Sequence, residues 1–263
     1  MNVAVLCENT ARDPALTPEH GLSLLVETAG RVILLDVGQS DAFAKNAECM
    51  GLSLADVDLA VLSHGHYDHG GGISTFFARN THAPLYLSDR AFGEHYHGER
   101  YIGLDRTLAE HPRLRPVKED TCLVSGVSIL SPSVRALKHP IDASGLTVRE
   151  GGVHHPEPFL HEQYLLVEEE GRRILFSGCS HRGVRNLLAW FSPDVLVGGL
   201  HLSGLDPSDE GDRQTLAAVA EEMERSGTRF LTGHCTGERA YAYLKERLGE
   251  RIEAFSTGDR FRI

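Results

Sequence analysis

No run in this chain approaches the roughly 18 consecutive apolar residues that a membrane-spanning helix needs. Nor does a basic stretch precede a long apolar one. Met1-Asn2-Val3-Ala4-Val5-Leu6-Cys7-Glu8 reads as a first strand and not as a secretory leader, so the expected location is cytoplasmic. There is no Cys-x-x-Cys pair. The five cysteines, Cys7, Cys49, Cys122, Cys179 and Cys235, are odd in number and widely spaced, which argues against a disulfide framework and for a reducing compartment. Cys7, Cys49 and Cys122 are expected to be small buried hydrophobes. Positive charge is the minority: 26 basic residues stand against 37 acidic ones, a formal charge of −11, and no basic run is visible. Such a surface repels nucleic acid and anionic membranes. Internal repeats, low-complexity tracts and linkers are also missing. Residues 1–263 are therefore expected to form one domain with a substantial core.

Histidine, in contrast, is plentiful, with fifteen in all. Four metal-ligand side chains fall within six residues of Ser63-His64-Gly65-His66-Tyr67-Asp68-His69-Gly70-Gly71-Gly72. The apolar run 59–62 precedes them and a glycine cluster follows, the pattern of a strand that delivers a metal site and then turns sharply. His64 and His66, two apart, face one side of an extended segment. A His, His, Asp, His set suits Zn, and also Mn or Fe.

Along the chain, strands are expected at 3–7, 22–27, 31–36, 58–63, 84–87 and 127–130. A hairpin is expected from 163–168 and 173–178 around Glu169-Glu170-Gly171, with further strands at 194–199, 228–232 and 252–256. Helices are expected at 41–50, 72–80, 183–191, 207–226 and 237–248, and Ser53 to Asp56 forms a plausible capping box. Residues 88–160, crowded with Gly, Pro, His, Arg and Tyr, read as a loop-rich insertion or lid that walls a substrate pocket.

Four apolar runs end in the same way. Those at 59–62, 174–176, 195–197 and 229–231 are each followed by small residues and then by His64, His181, His201 and His234 in turn. In α/β sheets ligands bind beyond the carboxyl ends of strands, so neighbouring strands would bring these histidines into one cleft. The four ligands of the opening motif with His181 and His234 are enough for two metals. His20, His82, His95, His97, His111 and His139 carry no such signal and read as ordinary core or surface residues.

His64-x-His66-x-Asp68-His69 is similar to the signature of the metallo-β-lactamase superfamily. With Gly178-Cys179-Ser180-His181, Gly198-Gly199-Leu200-His201-Leu202 and His234-Cys235-Thr236-Gly237, it resembles the branch of 7,8-dihydropterin-6-yl-methyl-4-(β-D-ribofuranosyl)aminobenzene-5′-phosphate synthase-like proteins. That resemblance implies an α/β fold, an αββα sandwich of two mixed sheets flanked by helices with the metal site at one edge. It also implies His64, His66 and a third histidine on one metal, and Asp68, His69 and His234 on the other. The superfamily often has an acidic bridging residue where Cys179 stands, so either Cys179 ligates as thiolate or His181 takes over. His154, His155 and His161 lie near the usual place of the third ligand, and Arg149 is either an anion binder or a solvated surface arginine.

The expected protein is a metallo-β-lactamase-fold hydrolase with two divalent cations, Zn ahead of Mn or Fe. Its expected substrate is a small, anionic phosphoester, cyclic phosphate or lactone-like ester. His64, His66 and His181 would hold one cation and Asp68, His69 and His234 the other, while His201 would protonate the leaving group or stabilise an oxyanion. Cys179 and Cys235 beside the histidines suit softer ligation. They keep open a metal-binding oxidoreductase or cofactor-biosynthesis accessory protein without hydrolase activity.

Overall fold

A computed structural model describes residues 1–263. Two seven-stranded sheets lie face to face. In the first the order is Arg260–Arg262, Asn2–Cys7, Ser23–Thr28, Arg31–Leu35, Leu59–Val61, Leu85–Ser88, Leu114–Val117. In the second it is Ile252–Ala254, Arg229–Thr232, Val195–Gly198, Arg172–Ser177, Tyr164–Glu169, Val127–Leu130, Thr121–Val124. Both are mixed and built alike. From one edge each makes three antiparallel pairings and then three parallel ones.

Strand periodicity explains why these segments read as unbroken apolar runs. Ile174 and Phe176 point into the core between the sheets, where they meet Val3, Val5, Leu24 and Ile33, while Leu175 between them points the other way. Val195, Leu196 and Val197 divide in the same fashion. Strands covered on both faces have no polar side to show. Helices Ala42–Cys49 and Ile73–Arg79 cover the outside of the first sheet; Val184–Phe191, Glu210–Ser226 and Glu238–Leu248 cover the second. The result is the expected αββα sandwich. Glu210–Ser226 buries Leu216, Val219, Ala220 and Met223 at helical spacing, as expected, but begins three residues later than the apolar pattern suggested. The side chain of Asp209 sets the start by accepting from the amides of Gly211 and Asp212. No helix is long and apolar enough to cross a membrane.

Several expectations change. Ser53 does precede a short helical turn, Leu54–Asp56, but its side chain caps nothing. Cys7 is buried, whereas Cys49 and Cys122 are exposed, the one at a helix end and the other on the outermost strand of the second sheet. Strands stand among the loops of residues 88–160. Leu114–Val117 completes the first sheet, and Thr121–Val124 with Val127–Leu130 completes the second. A third sheet joins Val153–Pro156, Leu146–Glu150, His95–His97 and Arg100–Tyr101.

Candidate metal centre

The carboxyl ends of the parallel strands open on one edge of the sandwich. Asp36 follows Leu35 and Ser63-His64 follow Val61; opposite them, Cys179 and His181 follow Ser177, His201 follows Gly198, and His234 follows Thr232. Asp36, Ser180, His201 and His234 all have positive φ, between 51° and 57°. Left-handed backbone in a non-glycine residue costs about 1–2 kcal/mol. Its clustering here shows that the strand ends are bent to bring side chains inward. Gly65 has a different constraint: a Cβ at this position would lie 2.0 Å from the Ala91 carbonyl oxygen, so nothing larger fits between His64 and His66. After His66 the chain turns into the short helix Tyr67–Gly70, which carries Asp68 and His69.

Neighbouring groups fix which ring nitrogen of each histidine is free. Asp36 Oδ2 accepts from His69 Nδ1 at 2.7 Å and from the Ser63 hydroxyl at 2.7 Å. With its proton committed to Asp36, Ser63 Oγ accepts from His64 Nδ1 at 2.9 Å. Asn9 Oδ1 accepts from the Gly21 amide and, at 2.9 Å, from His234 Nδ1. In its neutral form each of these rings therefore presents an unprotonated Nε2 inward, the orientation that oxygens bonded to the far ring nitrogen give metal-binding histidines. The free nitrogens are close together. His64 and His181 Nε2 are 3.3 Å apart and His69 and His234 Nε2 3.1 Å; Asp68 Oδ2 is 3.3 Å from His234 Nε2 and 3.6 Å from His69 Nε2. Nitrogens about 2.0–2.1 Å from a tetrahedral cation are themselves about 3.3 Å apart. Cys179 Sγ lies 3.2 Å from His69 Nε2 and belongs both to a cluster with His64 and His181 and to one with His69 and His234. His66 Nε2 is buried without a partner.

The electrostatics follow from burial and crowding. Burial, then the neighbouring imidazoles, hold His64 and His181 well below the usual histidine range. Burial takes His66 down to about 3 against the pull of Asp68. Burial opposes charge on His69 too, but Asp68 and Asp36 outweigh it and raise the ring to about 9. Asp68 is the reverse case: burial would raise it, yet His69 and the hydrogen bonds from His20 and His234 keep it well below the carboxylate range.

The structure thus brings together His64, His66, Asp68, His69, His181, His234 and Cys179. It does not bring in His154 or His155, which are exposed on Val153–Pro156, where Thr147 Oγ1 meets His154 Nδ1 at 2.9 Å. His161 is buried nearby, but its Nδ1 accepts from the Gly65 amide at 2.8 Å, which leaves the proton of a neutral ring on Nε2. That nitrogen is then a donor, although His161 with His66 and His95 forms a further buried group whose ligand atoms lie within 4.8 Å of one another. Arg149 pairs with Glu94 at 2.7 Å and lies over Tyr96.

Three residues near the centre, His20, His95 and Glu162, gave no warning in the sequence, and Cys235 was marked there only as a softer ligand. His20 stands at the lip, 3.4 Å from Asp68 Oδ2. His95 is buried against His161, with Glu157 2.7 Å from its Nδ1; that carboxylate is 62 residues away in the chain, too far for any local pattern to reveal. Cys235 receives the His201 amide at 3.3 Å. Glu162, wholly buried, accepts from the amides of His181 and Arg182 at 2.7 and 2.9 Å and from Tyr164 at 2.5 Å. Phe159 stacks on the His181 ring, 4.4 Å between centroids, so backbone and ring are both held. Glu162→Gln turns an amide group toward those N–H donors. It is expected to weaken metal affinity about tenfold at His181 alone, the lower end of what losing a group that orients a ligand costs. Competitive chelator titration, resolved by cation, checks this; equal weakening of every bound cation would point to general unfolding.

A cavity of about 970 Å³ leads out from the centre. His66, Asp68, Cys179, His181, His201 and His234 form its floor, and residues 139–146 with the first turns of Glu210–Ser226 form its sides. From 88–160 the cavity takes Arg100, Ile102 and residues of the 139–146 segment as lining.

Comparison with known proteins agrees with this architecture. Residues 16–234 match the family model of the metallo-beta-lactamase superfamily. The crystal structure of Tm1679, a metal-dependent hydrolase of the beta-lactamase superfamily, is 27% identical, covers 100% of this chain and 99% of its own, and superposes with a TM-score of 0.85. Two proteins of Methanocaldococcus jannaschii are each 24% identical. Uncharacterized protein MJ0448 aligns over 93% of this chain and 94% of its own length. The 7,8-dihydropterin-6-methyl-4-(beta-D-ribofuranosyl)-aminobenzene-5′-phosphate synthase aligns over 91% and 88%.

Proposed function

The chain belongs to the metallo-β-lactamase superfamily and is a metallohydrolase of that fold, and from this we propose that it holds two divalent cations and hydrolyses a small anionic ester. His64, His66 and His181 would hold one cation and Asp68, His69 and His234 the other, with Cys179 between them. The observation that carries this reading is the pair of Nε2–Nε2 separations, 3.3 and 3.1 Å, with His64, His69 and His234 each held by a partner on Nδ1 that leaves Nε2 as the inward lone pair of the neutral ring. A thiol among imidazoles favours Zn over Mn. Two cations in such a site supply Lewis acidity and lower the pKa of water.

The protein groups do the rest. Asp36, through His69 and Ser63, and Asn9, through His234, keep the ligand rings from rotating. Asp68 balances the charge and draws His20 to the lip of the cavity. His201 lines the cavity, and its Nδ1 is buried without a hydrogen-bond partner. Burial opposes charge on this ring, but Cys235 raises it, so His201 is placed to hand a proton to a leaving group in the cavity. Candidate substrates are phosphoesters, cyclic phosphates and lactone-like esters. The dihydropterin-linked relative supports a phosphate-bearing compound without fixing which one. The free cysteines support a reducing, cytoplasmic setting.

A second reading rests on Cys179, His201 and Cys235, whose ligand atoms lie within 4.8 Å of one another. That soft set suits a metal-binding oxidoreductase or a cofactor-biosynthesis accessory protein. One experiment separates the two. Metal content is measured, then bis-p-nitrophenyl phosphate, phosphomonoesters and lactones are assayed with and without chelator. Two Zn per chain and chelator-sensitive turnover are expected. Iron with a visible absorbance band and no hydrolysis would move the assignment to the second reading.

A further inference from the structure

We infer that Arg100 is the specificity residue for a second anionic group on the substrate, remote from the bond that is cleaved. This deepens the hydrolase reading and rests on it. The cavity of about 970 Å³ is at the upper end of the range, roughly 300–1,000 Å³, that accommodates whole drug-sized ligands. A bare phosphoester fills little of it, so the substrate extends beyond its reacting group.

What lies along that extension is set by the charges at the mouth. Most arginines near the site are already engaged. Arg149 and Arg106 both pair with Glu94, Arg185 is 3.8 Å from Glu222, and Arg182 donates to the Pro158 carbonyl at 2.6 Å. The cavity-lining carboxylates Asp142 and Asp212 are engaged too, accepting from the amides of Ser144 and Asp206. Arg100 is different. It lines the cavity, forms no ion pair and makes one notable contact: its guanidinium carbon sits 4.9 Å from the centroid of the Tyr67 ring.

Tyr67 lines the same cavity and stands between His66 and Asp68 in the chain, so this contact ties the exposed guanidinium to the rim above the metal floor. The stacking holds the arm while leaving the N–H fork uncommitted. The hairpin of the small sheet fixes the base of the arm, with Arg100 opposite His97, another cavity-lining residue, and Tyr67 N–H bonded to the Ile102 carbonyl at 2.9 Å. In a chain with a formal charge of −11, an unpaired guanidinium at the cavity mouth is the group that a carboxylate or phosphate would meet. The substrate class is therefore an ester carrying a second anion beyond its scissile group.

The test uses the metal-loaded full chain and two 4-nitrophenyl phosphodiesters that differ only at the end of the second ester arm, one bearing a carboxylate and the other its methyl ester. Wild type is expected to show a KM about tenfold lower for the carboxylate, the exposed-site end of what a charge-assisted hydrogen bond contributes. Arg100→Gln is expected to remove the difference, and Arg100→Lys to restore part of it. The difference should also shrink as salt is raised. Equal KM values in wild type, or a difference that survives Arg100→Gln, would overturn the assignment while leaving the hydrolase reading intact. Cleavage of neither diester, with metal bound and lactones and monoesters also untouched, would be the failure of the hydrolase reading itself.

Discussion

Asp68→Ala is expected to lower hydrolysis by about 10³-fold or more, the scale on which lost transition-state electrostatics register, while the chain stays folded. Asp68 Oδ2 stands within 3.3–3.6 Å of His234, His20 and His69, so one oxygen is the meeting point of three imidazoles. Its removal takes away a candidate ligand and the negative charge that makes a cluster of bases tolerable. The fold does not depend on it: none of the three apolar clusters that hold the sandwich together includes Asp68. The backbone bond from the Leu22 amide to the Asp68 carbonyl is independent of the side chain. Metal analysis, turnover and thermal melting together check the prediction. Wild-type turnover with metal content unchanged would remove Asp68 from the ligand set.

The second large effect concerns pH. In the chelator-stripped protein, stability is expected to peak near pH 6.5 and fall on both sides. His64, His66, His161 and His181 are held neutral, chiefly by burial, with His66 at about 3. Between pH 3 and 6.5 the unfolded chain binds more protons than the folded one, so stability rises with pH. His69 is opposite. Burial disfavours its charge, but Asp68 and Asp36 raise it to about 9, so from pH 6.5 to 9 the folded state holds the extra proton and stability falls. Metal affinity should slope the other way over that interval, because a ligand nitrogen must lose its proton. It should strengthen about tenfold per pH unit up to about 9, where His69 no longer carries a proton to lose. Denaturant melts and metal titrations from pH 5 to 9 check both slopes. A stripped protein that becomes more stable from pH 7 to 9 would contradict the charge state assigned to His69.

Much of this was legible in the sequence because the parallel strands are covered on both faces. Runs such as 174–176 and 195–197 are continuous, and the histidines that follow them mark the open edge. The small sheet was not legible for the opposite reason. Val153, His154, His155 and Pro156 are all exposed, so no alternation of polar and apolar residues announces a strand. His95 and Glu162 escaped because their roles depend on long-range partners, whereas Arg149, read as an anion binder or a solvated arginine, is neutralised by Glu94 from a distant segment. The exposure of Cys49 and Cys122 shows how little residue type alone says about depth at the end of a helix or the rim of a sheet.

The repeated pairing order of the two sheets has a mechanical consequence. Leu35 and Ser177 end corresponding strands and lead to Asp36 and Cys179; Val61 and Gly198 correspond as well and lead to His64 and His201. Each half of the sandwich therefore offers an incomplete hand of ligands, and the cations would act as a clasp between two halves joined elsewhere by apolar contact. Gln163 latches the same seam, donating from its backbone to the Ser63 carbonyl and from its side chain to that of Leu62. Metal bound at this edge would therefore tie the two sheets together and add to the stability of the whole sandwich.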